Sequence, residues 1–306
     1  MAIQRVESVT YGVEDVARCI QYYDDFGLEC VEKGASGAIF RTLTHQTVHV
    51  RAAGDPSLPP THETGSTLRF TVWGVDGAAG LETIGAELSR DRDVKRDAAG
   101  VLHTVDESGL PIGFAVAKAK HVALAPHAVN VGDVAGRINQ PFPKIERVQP
   151  LRLVHVVFHI RKDNRDRAAA FYQERLGFRL SDRSVDAGDF MRCEASHDHH
   201  NLLLLHRADR VEYNHVAYEV PGFDEIMIGG LHMQNRGWKS LRNPGRHFLG
   251  SNFHWFFENP CGGRTEFIAD MDQLDERWVP RIWEKHPGES IWLFNTGREA
   301  RGSGRE

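Results

Sequence analysis

The feature that most constrains this 306-residue chain is an internal repeat. VESVTYGVEDVARCIQYYDDFGLECVEK near the N-terminus is matched in the middle by LVHVVFHIRKDNRDRAAAFYQERLGFRLSD. Each opens with the alternation of a half-buried strand and passes through a polar turn into an amphipathic helix. Gly27 and Gly177 stand where those helices should stop. A second pair follows, STLRFTVWGVDG (66–77) and YNHVAYEVPG (213–222), each a strand leading through a turn to a helix. A third pair, TVDESGLPIGFAVA (104–117) and FENPCGGRTEFIAD (257–270), reads as a β-hairpin with Gly, Pro and Ser in its turn. The pattern predicts an α+β fold of four βαβββ modules in two halves, residues 1–124 and 151–272. Residues 125–150, rich in Pro, Gly and Val without a clear period, read as a linker. In the tail, 273–306, Trp278, Trp283 and Trp292 are expected to pack on the body, and the last ten residues to be disordered.

Composition excludes several classes. Hydrophobic residues are 41% and charged residues 26%, the mix of a globular chain. A net charge of −5 argues against a general nucleic-acid binder. No apolar run approaches the roughly 20 residues of a membrane span. The first residues carry neither the basic nor the apolar stretch of a signal peptide, so a cytoplasmic location is expected. Cys19, Cys30, Cys193 and Cys261 are scattered, with no CxxC, and are expected to be free thiols.

Of 17 histidines, 11 follow residue 150. Most such residues serve only the surface. Three ionisable residues nevertheless occupy matched strands of the second half: His155 in LVHVVFHI, His215 in YNHVAYEV and Glu266 in GGRTEFIAD. One buried histidine on a strand is usually a satisfied core residue. Three ionisable residues at equivalent places in repeated modules are not explained by packing, because the matching strands of the first half place Ser8, Phe70 and Gly113 there. Two histidines and a carboxylate form the facial triad of non-haem iron(II) oxygenases, with positions left open for substrate and oxygen. One metal is therefore expected, in the second half, with the first half as a non-catalytic scaffold.

With these residues in place, the chain resembles a type I extradiol ring-cleaving dioxygenase of the vicinal oxygen chelate superfamily. The resemblance covers most of residues 1–272. Its most specific stretch is NPGRHFLGSNFHWFFENPCGGRTEFIADMD (243–272), which is similar to that family's closing signature. The resemblance implies iron(II), with manganese(II) the other candidate, on His155, His215 and Glu266. It implies a small aromatic diol and dioxygen as substrates, and a homo-oligomer. His200 in HDHHNLLLLH matches the acid/base histidine beside the oxygen site, with His199 the alternative because the doubled histidine leaves the register open by one. His247 in PGRHF matches a second histidine near substrate. The family usually carries tyrosine where this chain has Phe256, and His254 is the nearby candidate to compensate. Phe190, Trp255 and Phe257 are candidate pocket walls that core packing would equally explain. Two other activities fit the same fold: a metal-dependent isomerase or thiol transferase of the glyoxalase kind, and metal-free small-molecule binding.

Overall fold

The computed structural model describes residues 2–124 and 127–294. The expectation of disorder for the last ten residues falls outside them. The first half forms one eight-stranded sheet from β1 (Ile3–Val13), β2 (Glu29–Gly34), β3 (Gly37–Arg41), β4 (Thr47–Ala52), β5 (Thr67–Val75), β6 (Lys95–Arg96), β7 (Leu102–Val105) and β8 (Pro111–Val116). Its helices are α1 (Val16–Phe26) and α2 (Ala78–Leu88). A small hairpin, β9 (Asn130–Val131) and β10 (Val134–Ala135), stands in the linker. The second half repeats the plan with β11 (Arg152–Arg161), α3 (Arg165–Ala170), β12 (Arg179–Ser184), β13 (Gly188–Arg192) and β14 (Leu202–Arg207), then β15 (Glu212–Glu219), α4 (Phe223–Asn235), β16 (Ser240–His247), β17 (Phe253–Glu258) and β18 (Arg264–Ala269). These are four βαβββ modules, the arrangement of the glyoxalase and vicinal oxygen chelate fold. The tail contributes β19 (Arg281–Trp283) and β20 (Ser290–Leu293), which close the two edges of a ten-stranded second sheet.

Within each half the modules meet along an antiparallel central pair, β1 with β5 and β11 with β15, and each central strand runs parallel to the last strand of its own module. The helices lie between the sheets and share one continuous apolar core. Phe26 of α1 reaches Phe267 of β18, and Trp73 of β5 meets Phe178 edge-on at 4.9 Å. Gln46, fully buried, donates to the Val6 and Leu153 carbonyls at 2.6 Å each and accepts from the Leu153 N–H at 2.9 Å, which ties the two central strands together. Gly27 ends α1 at φ 100°, and a Cβ there would lie 2.1 Å from the Val148 carbonyl oxygen, so both conformation and close approach require glycine.

The matching helix of the second half departs from the sequence reading. After Ala170 the turn Phe171–Arg175 widens to π geometry, and the adjacent Phe171 and Tyr172 both reach the core, 2% and 1% exposed.

Candidate metal centre and its pocket

Strand alternation places His155, His215 and Glu266 on the concave face of the second sheet. His155 pairs with Ala217, and Ala217 with Glu266, so two of the side chains stand in one row across β11, β15 and β18; His215 lies two residues before Ala217 on the same face. The first sheet keeps this register with other residues, since Ser8 pairs with Val72 and Val72 with Gly113. Phe70 takes the place of His215 there. Its ring stacks on His103 at 4.5 Å, and its tip would lie 2.4 Å from a Cβ on Gly113. The first half thus fills with a phenyl ring the space where the second half gathers ionisable groups.

In the second half the separations are 3.2 Å between the Nε2 atoms of His155 and His215, 3.1 Å from His155 Nε2 to Glu266 Oε2, and 3.4 Å from His215 Nε2 to the same oxygen. All three side chains are buried. Ligand atoms about 2.1 Å from a common ion and at right angles to one another would be roughly 3.0 Å apart, so this triangle fits one face of a coordination octahedron. Without an ion, buried lone pairs facing one another would be costly. Burial pushes His215 down to about 4 despite the Glu266 carboxylate beside it, so its imidazole is neutral, as a metal ligand would have to be. Burial alone would raise the Glu266 carboxyl; contacts with His155, His215 and His247 hold it well below the usual range.

A chain of hydrogen bonds orients His215. Its Nδ1–H donates to Asn214 Oδ1 at 2.6 Å, Asn214 Nδ2 donates to His159 Nε2 at 3.0 Å, and His159 Nδ1–H donates to Glu212 Oε2 at 2.9 Å. This order leaves His215 Nε2 bare toward the triangle. None of these partners was singled out from sequence, although His159 shares the face of His155 at even spacing on β11.

The triad opens on a cavity of about 340 Å³, walled by Phe190, Leu203, Leu249 and Phe256 and rimmed by Arg207, Arg242, Arg264, His286 and Glu289. His200 lines it, its ring stacked on His155 at 4.2 Å and edge-on to Phe190 at 5.2 Å. Burial beside His155 and His199 keeps His200 well below the ordinary histidine value. His199 does not reach the cavity. It is fully buried behind His200, with Nε2 2.7 Å from Asp182 Oδ2.

His247 reaches the cavity and lies 3.2 Å from Glu266 Oε1 through Nε2, while its Nδ1–H donates to the Glu289 carbonyl at 2.9 Å. Phe256 is a wall, edge-on to His215 at 5.2 Å. The expectation that His254 touches substrate is corrected. It shares the concave face of β17 but is fully buried behind His247, the two rings stacked at 4.0 Å, because His247 stands between it and the cavity. Trp255 and Phe257 face the opposite side and belong to the core, Trp255 against Gly230 of α4. The tail supplies what the sequence reading missed, since His286 and Glu289 reach the rim only when β19 and β20 dock on opposite sheet edges.

Fold and site together define a two-half protein of the vicinal oxygen chelate architecture whose second half carries a buried His-His-Glu triad that could hold a metal ion. Residues 152–267 match the Glyoxalase/Bleomycin resistance protein/Dioxygenase superfamily. A curated relative, metapyrocatechase 2 of Cupriavidus necator, is 36% identical over 131 residues, which cover 43% of this chain and 40% of that relative. The match thus spans less than half the length of either protein. Among solved structures, the Mn(II)-bound glyoxalase from Novosphingobium aromaticivorans has a TM-score of 0.71 at 22% identity, covering 97% of this chain and 98% of that one. The 2,3-dioxygenase LapB from Pseudomonas sp. KL28 has a TM-score of 0.73 at 18% identity, covering 92% and 98%. These two likenesses show the shared fold. No described helix is long and apolar enough to cross a membrane.

Proposed function

We propose that this chain is an extradiol dioxygenase that uses dioxygen to cleave the ring of a catechol-type substrate beside its two adjacent hydroxyls. The observation that carries the reading is the buried triangle of His155, His215 and Glu266 opening on an aromatic-walled cavity with a histidine at its side. The relative named metapyrocatechase supports it. The triad would hold iron(II), and manganese(II) suits the same ligands. When bound, the metal acts as a Lewis acid toward the diol and brings dioxygen against the ring.

The chain's own residues do the rest. Phe190, Phe256, Leu203 and Leu249 clasp a flat ring and exclude water. His200, neutral and facing the cavity, accepts the proton of a substrate hydroxyl on Nε2 and returns it later in the reaction. His247, fixed by the Glu289 carbonyl, contacts substrate oxygen from the opposite side. Phe256 brings no hydroxyl to the cavity. The protein works in the cytoplasm, in keeping with four free thiols. It assembles as a homo-oligomer, in keeping with Val129, Val131, Val134 and Ile138, which stand 65–73% exposed on the linker arm.

The deciding experiment is oxygen uptake by protein reconstituted anaerobically with iron(II), over a panel of catechols. Uptake with a yellow ring-fission product supports the reading. Metal-dependent isomerisation or thiol transfer without oxygen consumption would replace it with the glyoxalase-like activity. A purified chain that binds aromatic ligands but no metal would leave only small-molecule binding.

A further inference from the structure

The pocket histidine is backed by a buried chain of hydrogen bonds that ends on the C-terminal segment. His199 Nδ1 lies 3.1 Å from His200 Nδ1, and His199 Nε2 lies 2.7 Å from Asp182 Oδ2. Asp182 also accepts from Arg281 Nε at 2.8 Å and Nη2 at 2.6 Å, and from Trp283 Nε1 at 2.9 Å. The side chains of Asp182 and His199 are both 0% exposed.

We infer that Asp182 and His199 are positioning residues that fix where His200 carries its hydrogen, and that Arg281 and Trp283 lock them in place. The inference deepens the proposed role of His200 and rests on it. Its logic is one of donors and acceptors. The Asp182 carboxylate only accepts, so His199 must hold a hydrogen on Nε2. Arg281 already balances the charge of Asp182, and a second, cationic partner at a fully buried position would be uncompensated. His199 is therefore neutral, and its Nδ1 is a bare acceptor. His200 meets that acceptor with its own Nδ1 and so carries its hydrogen there. Its Nε2 is left bare, and among the described residues no protein group bonds it. The pocket thus receives a histidine in the one neutral tautomer that can take a proton. Without Asp182, His199 could turn its hydrogen to Nδ1. His200 would then accept instead of donating and would show the cavity an N–H.

The sequence signal is the doubled histidine itself. One residue faces the cavity, and its neighbour faces the strand β12 that carries Asp182. The tail then covers Asp182, because β19 pairs with β12 and sets Asp182 opposite Arg281.

The test is a long-range proton–nitrogen correlation spectrum of the full chain, with ¹⁵N-labelled histidine and diamagnetic zinc(II), His200→Phe identifying the signal. The expected result is hydrogen on Nδ1 and a bare Nε2 for His200, with the reverse for His199. Hydrogen on His200 Nε2, or a doubly protonated His199, would overturn the inference without recourse to any variant. In the iron(II) protein, Asp182→Asn should redistribute the tautomers and lower kcat about 10- to 100-fold, with KM and metal content unchanged. An unchanged kcat with an altered tautomer would overturn the functional half of the inference. Absence of oxygen uptake by the unsubstituted protein would instead defeat the ring-cleavage reading, and the spectrum would still decide the tautomer.

Discussion

Phe26, the last residue of α1 in the first half, stacks on Phe267 of the second half with ring centroids 4.0 Å apart and planes 1° from parallel. Phe267 follows Glu266 on β18, so the first half presses directly on the strand that carries the carboxylate of the triad. Tyr22, Tyr23 and Tyr218 surround the same contact.

Phe26→Ala should therefore cost about 3–5 kcal/mol, the usual loss for a deleted buried phenyl ring. Denaturant unfolding should show one transition with a lowered midpoint. A loss below about 1 kcal/mol, or two separate transitions in the unsubstituted chain, would mean that the halves do not share a core.

His215→Ala should empty the metal site, whereas His200→Phe should leave metal content intact and slow turnover by roughly 10²–10⁴-fold. Metal analysis alongside oxygen uptake separates the two. Loss of metal from the His200 variant would make His200 a ligand, and full activity would move the acid/base role to His247.

Burial pushes the Asp106 carboxyl up from 3.8 to about 6, against opposing hydrogen bonds from the Leu110 N–H, the Tyr172 hydroxyl and the Ser108 N–H. The folded chain keeps a proton there that the unfolded chain releases. The contribution of this group to stability is complete below about pH 4 and is lost as the pH rises through about 6, a change of roughly 3 kcal/mol. In Asp106→Asn the amide oxygen would still accept both backbone N–H groups and the amide nitrogen would donate to Tyr172. The variant should match or exceed the parent's melting temperature at pH 8 and lose that slope between pH 4 and 6. A lower melting temperature at pH 8 would show that the charged carboxylate is stabilising.

His254 is fully buried with neither ring nitrogen hydrogen-bonded, and burial holds it down to about 2. An unsatisfied buried polar group costs about 1–3 kcal/mol, so His254→Leu should raise stability by about 1 kcal/mol in denaturant titration. A drop in stability would indicate that the imidazole is satisfied in solution.

The sequence by itself determined the modules and the triad. Local alternation and glycine stops mark each strand and helix, and period-2 geometry puts His155, His215 and Glu266 on one face once their strands are matched. It equally determined that the matching positions of the first half, Ser8, Phe70 and Gly113, carry neither histidine nor carboxylate. Tertiary structure alone decided the rest. Whether His199 or His200 faces the cavity depends on how β14 enters the sheet, a one-residue choice that reverses the face and that the HDHH run leaves open. His254 lies on the expected face yet behind His247, since reach depends on what stands in front. Arg281 and Trp283 meet Asp182 only because β19 pairs with β12, about a hundred positions earlier in the chain, and Glu289 reaches the site only because β20 pairs with β16. No local pattern encodes such contacts. They arise because two exposed sheet edges need partners, and the C-terminal segment supplies them.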